Sequence, residues 1–145
     1  MKILMAIDGS AYSEKAATYL ATHPSLFGPN AELHLLNVRM PVPVGLAVTN
    51  ARLILGDDAI TDYYREEAEA ALKPAETIFR KAGIAFQSGY KVGSIADEVI
   101  DTVRQQHIDI IVMGSHGHSP LANVVMGSVA TKVLAAATVP VLMVR

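Results

Sequence analysis

The stretch Ile108-Asp109-Ile110-Ile111-Val112-Met113-Gly114-Ser115-His116-Gly117, followed nine residues later by Gly127-Ser128, decides how this chain is read. Ile108–Met113 is apolar save for one aspartate and reads as a strand; the pattern Val129–Ala137 reads as a helix. A strand that ends in glycines and feeds a helix is how α/β proteins hold phosphate. Glycine lets the backbone come close, amides point at the oxygens, and the helix N-terminus adds partial positive charge. The spacing G-x2-G-x9-G-S matches neither a Walker A loop nor the dinucleotide fingerprint G-x-G-x-x-G. Gly114, Ser115, Gly117, Gly127, Ser128 and Val129 are the candidate phosphate ligands, through the two serine hydroxyls and the amides of Ser128 and Val129. The alternative is two ordinary turns that happen to contain glycine.

Upstream of this loop, strands and helices alternate. Lys2–Ile7 is a first strand ending at Asp8-Gly9-Ser10, and Ser10 or Ser13 caps a helix carrying Ala16, Ala17, Leu20 and Ala21 at helical spacing. His23-Pro24 ends that helix. Ala31–Val38 is a second strand, Asp57–Ala82 a helical pattern stopped by Gly83, and Pro74 within it predicts a kink or two shorter helices. Ile84–Val92 alternates as a third strand, Gly93-Ser94 opens a helix with Ser94 and Asp97 paired as in a capping box, and Pro140–Val144 is the last strand. The order βαβαβαβαβ predicts parallel strands joined by right-handed helical crossovers.

With 145 residues the chain is expected to form one domain, residues 1–145. Hydrophobic residues make up 51% and charged residues 18%, yet no apolar stretch reaches the roughly 20 residues that span a bilayer. The amino-terminal apolar run is too short for a signal peptide, and the absence of cysteine rules out a disulfide framework, so a cytoplasmic protein is expected. The net charge is −2 with basic residues scattered singly, which argues against nucleic acid and against a membrane surface as partner.

In an open parallel sheet, ligands bind beyond the carboxyl ends of the strands where the strand order reverses. If the first and fourth strands are neighbours there, Asp8 and the glycine loop share one pocket, and the carboxylate can meet ribose hydroxyls or a divalent ion beside phosphates. Taken alone, Asp8 reads equally as an Asx-turn or cap residue before Ser10. His116 and His118 could chelate a metal, but no third ligand lies nearby in sequence, so phosphate-proximal or solvent-exposed histidines fit better and no metal is assigned to the protein itself. Phosphoryl transfer would need a base, a cation clamp and Mg²⁺ ligands; the sequence offers Asp8, with Arg39 or Lys132 as further candidates, so no catalytic residue is assigned. The segment Arg39–Gly56 is too long for an ordinary connection and too apolar for disorder, so it folds over the ligand, packs on a partner or covers the sheet edge.

These motifs resemble the ATP-binding branch of the universal stress protein family over the whole chain. Beside the glycines, the resemblance includes Ala6-Ile7-Asp8, Asn37-Val38, Val92-Gly93 and the final Val139-Pro140-Val141-Leu142-Met143-Val144. It implies a Rossmann-like, open five-stranded parallel sheet of order 3-2-1-4-5 flanked by helices. It also implies adenine on the backbone of Val38, with Ala6, Ile7 and Asp8 lining the adenine and ribose side and Met113 as an apolar wall. The implied ligand is ATP (or AMP or ADP) with Mg²⁺ or Mn²⁺, which Asp8 would meet through the nucleotide. The implied assembly is a homodimer through the Val139–Arg145 strand, and the implied function is a nucleotide-dependent stress-response regulator. A slow ATPase or phosphotransferase and a nucleotide-independent dimerisation module are the rivals; the intact glycines oppose the second, and the missing base and cation clamp oppose the first.

Overall fold

The computed structural model describes residues 1–26, 28–43, 57–117 and 126–145. Its elements are β1 (Lys2–Ala6), α1 (Ala11–Thr22), β2 (Glu32–Arg39), α2 (Asp57–Lys81), β3 (Phe86–Val92), α3 (Ile95–Gln106), β4 (Ile110–Gly114), α4 (Ser128–Ala136) and β5 (Val141–Val144), with one 3₁₀ turn at Pro24–Leu26. The strands form one sheet of order β3-β2-β1-β4-β5, and every neighbouring pair is parallel. The expected Rossmann-like architecture and strand order are therefore present.

The reason lies in β1, β2, β4 and β5, which are apolar on both faces, as a sheet covered by helices on both sides requires. On one face Ile3, Met5, Leu33, Leu35 and Val112 meet Ala16, Ala17 and Leu20 of α1 and Leu72, Ala75 and Phe79 of α2. On the other face Leu4, Leu36, Val38, Ile111 and Met113 meet Val99, Ile100 and Val103 of α3 and Ala130 and Val133 of α4. Even β5 divides this way, with Leu142 and Val144 on the first face and Val141 and Met143 on the second. The chain runs outward from β1 through β2 to β3, then crosses back to β4 on the far side of β1. The order thus reverses between β1 and β4, where Ala6, the last residue of β1, pairs with Met113, one residue before the end of β4.

Several local expectations change. Ser10, not Ser13, is the cap of α1, accepting from the Ser13 amide at 3.3 Å. Pro74 does not divide the long helix: α2 is continuous from Asp57 to Lys81. Proline costs that helix one amide donor, but Ala68, Leu72, Ala75 and Phe79 are buried on one stripe either side of it and hold both halves to the sheet. Gly83 does stop α2, at φ +69°, with the amides of Gly83 and Ile84 donating to the carbonyls of Arg80 and Phe79. Ser94 sits at the N-cap of α3, but its side chain makes no capping hydrogen bond. Ile108 is not in β4 because its amide closes α3 on the Val103 carbonyl, after His107 turns the chain at φ +54°. Among the described residues no helix is long and apolar enough to cross a membrane.

Candidate functional site

Beyond the carboxyl ends of β2, β1 and β4 lies a cavity of about 460 Å³. Ala6, Ile7, Asp8, Val38, Met113, Gly114, Gly117, Gly127, Ser128 and Val129 all line it, so residues far apart in sequence meet at the reversal point.

Asp8 follows β1 and is held in place by α1. Its Oδ1 accepts from the Ser10 amide at 2.9 Å and from the Ser13 hydroxyl at 2.5 Å, while its own amide donates to Ser13 Oγ at 3.1 Å. The Asx-turn role and the place in the cavity wall are therefore not alternatives; the turn is what orients the carboxylate. Its other oxygen, Oδ2, faces Gly117, where a β-carbon would stand 2.6 Å away.

The glycine that ends β4 and the one three residues on do different work. At Gly114 a β-carbon would lie 2.7 Å from Tyr12 Cβ and 2.8 Å from the Tyr12 carbonyl carbon, so this glycine lets the first turn of α1 lie against the end of β4. Gly117 keeps clear the space beside Asp8. The loop then returns to its own base, since the Gly127 amide donates to the Ser115 carbonyl at 2.9 Å. Gly127 caps α4 with extended backbone (φ −67°, ψ 154°) and offers no side-chain hydrogen bond to the first amides of the nine-residue helix. Gly127 itself lies beside His116 and Gly117, and the helix it opens supplies the partial positive charge of a helix N-terminus.

Ser115 departs from expectation: it does not line the cavity. Its amide donates to the Val144 carbonyl at 2.8 Å, and its buried hydroxyl pairs with His116 Nδ1 at 2.9 Å, because the strand geometry still turns it inward at this point. His116 does line the cavity and is buried rather than solvent-exposed, with its ring 5.0 Å from that of Tyr12. His118 lies outside the described residues. Lys132 is exposed and away from the cavity. Arg39 reaches the wall, but its guanidinium is paired with Glu67 at 2.8 Å.

Sequence reasoning missed Ser13, Asn37, Tyr63 and Tyr64, all of which line the cavity. Tyr64 accepts from the Val42 amide at 2.7 Å and so pins the chain leaving β2 against α2. Of the long segment 39–56, Met40 and Val42 form part of the wall, whereas residues 44–56 lie outside the described ones. The available signal for Asn37 was its polarity within Leu35-Leu36-Asn37-Val38.

The model of the universal stress protein family matches residues 1–145. The chain is 33% identical to the universal stress protein YxiE of Bacillus subtilis, over 99% of this chain and 98% of that one. Its fold is similar to that of the protein MJ0577 of Methanocaldococcus jannaschii, with a TM-score of 0.77, 25% identity, and coverage of 99% of this chain and 94% of that one. It is likewise similar to the Archaeoglobus fulgidus universal stress protein solved in complex with dAMP, with a TM-score of 0.66, 22% identity, and coverage of 100% and 98%.

Proposed function

Because the chain belongs to the universal stress protein family, we propose that it is an ATP-binding regulatory protein of the stress response, with the nucleotide held in the cavity beyond β2, β1 and β4. The observation that carries this reading is the meeting of Gly117, the glycine-capped N-terminus of α4 and Asp8 around one cavity. Backbone amides at Gly127–Val129 suit phosphate oxygens. Asp8 suits ribose hydroxyls, or a Mg²⁺ or Mn²⁺ ion carried by the nucleotide. Met113, Val38 and Ile95 offer the apolar surface that a purine needs, and the volume lies within the usual range of about 300–1,000 Å³ for ligand pockets. Relatives of this fold were solved with dAMP, cAMP and AMP, which supports an adenine nucleotide as the ligand class.

Binding rather than turnover is the reading favoured by the charges. Apart from His116 and the phenols of Tyr63 and Tyr64, Asp8 and Arg39 are the ionisable acid and base among the described lining residues. Asp8 is held by Ser10 and Ser13, and Arg39 by Glu67. Phosphoryl transfer needs an opposed base and cation clamp that these engaged groups do not supply. Isothermal titration of the purified protein with ATP, with and without Mg²⁺, tests the proposal: saturable one-site binding is expected, and no heat at millimolar ATP rejects it.

A further inference from the structure

The long helix α2 overshoots the sheet. Its Ala71 lies against Gly9, just past the end of β1: a β-carbon on that glycine would stand 3.1 Å from Ala71 Cα. Phe79, further along the helix, is buried in one cluster with Ile3 and Leu33, near the starts of β1 and β2. α2 therefore runs back against the strand direction, and its residues before Ala71 stand beyond the carboxyl ends of the strands. At 1.5 Å per residue, Tyr63 is carried about 12 Å past the level of Ala71. This overshoot forms one side of the cavity, and Ile95 and Val129, from the first turns of α3 and α4, form the other.

Two adjacent tyrosines of the overshoot line the cavity, and they differ. The Tyr64 hydroxyl accepts from the Val42 amide at 2.7 Å, so this ring is committed to holding the chain that leaves β2. Tyr63 is 47% exposed, and its neighbours Asp62, Arg65, Glu66 and Glu67 are charged. Its ring lies 5.8 Å from that of Tyr64, inclined at 56°, so the fixed ring steadies the exposed one. A large aromatic left open in a cavity wall, facing an apolar wall, suits a flat ring lying between the two. With phosphates at the N-terminus of α4 and a base against Val38, Met113 and Ile95, the second face of the base turns towards α2.

We propose that Tyr63 is the stacking platform for that second face, closing the cavity on its α2 side. Stacking on an aromatic side chain needs only a π-face, so this contact holds the base without choosing among bases. The proposal rests on the nucleotide-binding reading above and adds to it a residue with no part in the phosphate or ribose contacts.

The test is calorimetric titration of the full chain and two variants with ATP and with ITP. Tyr63→Ala changes an exposed position of a helix to the best helix former, so the variant should fold. It should weaken ATP by about five- to tenfold, the lower end of the range for one base stacked on one aromatic ring. ITP should weaken by the same factor. Tyr63→Phe keeps the ring and should recover most of the lost affinity. Tyrosine emission gives a second readout, since the chain has five tyrosines and no tryptophan. ATP should quench it in the unmodified protein, and Tyr63→Phe should lose most of that quench. Full ATP affinity in Tyr63→Ala, a loss confined to ATP, a phenylalanine variant as weak as the alanine one, or a full quench without Tyr63 overturns the inference while leaving nucleotide binding intact. An unmodified protein that binds neither nucleotide overturns the nucleotide-binding reading itself.

Discussion

Gly117 stands so close to Asp8 that a β-carbon on it would lie 2.6 Å from the carboxylate oxygen Oδ2. Gly117→Ala therefore has to displace the carboxylate, and with it the bonds from the Ser10 amide and the Ser13 hydroxyl. A loss of about 1–2 kcal/mol in stability is expected, as for removal of a helix cap. Asp8→Ala should cost a similar amount and also weaken ATP by roughly ten- to a hundredfold, the range for hydrogen bonds to a charged group. Denaturant melts of the two single variants and the double variant check the relationship. The double variant should be less destabilised than the sum, since the collision disappears with the carboxylate; strict additivity would rule out the contact.

Gly127→Val separates the fold from the ligand. The backbone at Gly127 is extended, which any residue can adopt, and a β-carbon there would meet its nearest neighbour, the Ser115 carbonyl oxygen, at 3.4 Å. The variant should fold, but its branched side chain would stand where phosphate approaches the first amides of α4. A ligand at a hundred times its dissociation constant stabilises the native state by about 2.7 kcal/mol. Thermal melts with and without ATP should show that shift for the unmodified chain and lose it in the variant.

Gly114→Ala should behave in the opposite way. Its added methyl group would collide with backbone and Cβ atoms of Tyr12 rather than with a ligand. Overpacking of this kind costs about 1–3 kcal/mol, so the melting temperature should fall while an ATP-dependent shift survives. A variant as stable as the parent would show that α1 can move away from β4 freely.

What the sequence made legible follows from what each residue has to do. The strands and their order of appearance could be read because β1, β2, β4 and β5 carry apolar side chains on both faces. The phosphate-type loop could be read because glycine and a following helix leave a pattern in spacing. Asp8 could be placed beside that loop once β1 and β4 were taken as neighbours, and the register Ala6 to Met113 puts them there. The rest depends on packing that spacing does not record. Tyr63 and Tyr64 reach the cavity because α2 packs beside β2, and nothing local distinguishes them from tyrosines on a solvated helix. Between its glycines Ser115 has the sequence context of a loop donor, yet its amide is tied to the end of β5. Local chemistry at Pro74 predicts a kink or two shorter helices, while contacts on both sides of it keep α2 in one piece.

Turnover separates the binding protein from its enzymatic rival. Protein kinases run at about 1–100 per second. With Asp8 and Arg39 both engaged by other side chains, ATP hydrolysis should fall well below that range in single-turnover measurements with Mg²⁺. Hydrolysis within it, abolished by Asp8→Ala, would make this chain an enzyme.

Assembly is the last expectation, and the edge of the sheet sets it out. β5 has β4 on one side and no strand on the other among the described residues. The Ile111 amide donates to the Pro140 carbonyl and the Ser115 amide to the Val144 carbonyl. Even-numbered residues of this strand therefore bond to β4, and the amides of Val141 and Met143 point away from it. An exposed edge with half-buried Val141, Leu142, Met143 and Val144 is a pairing hazard unless it is covered. The family resemblance suggests the cover: a second copy pairing through the same strand about a two-fold axis, the commonest oligomer symmetry. Met143→Pro removes an outward donor without touching the β4 ladder, so it should weaken association while leaving the fold intact. Sedimentation equilibrium at micromolar concentration should give the mass of a dimer for the unmodified chain and a shift towards monomer for the variant. A monomer mass for both would mean that something other than a second copy covers this edge.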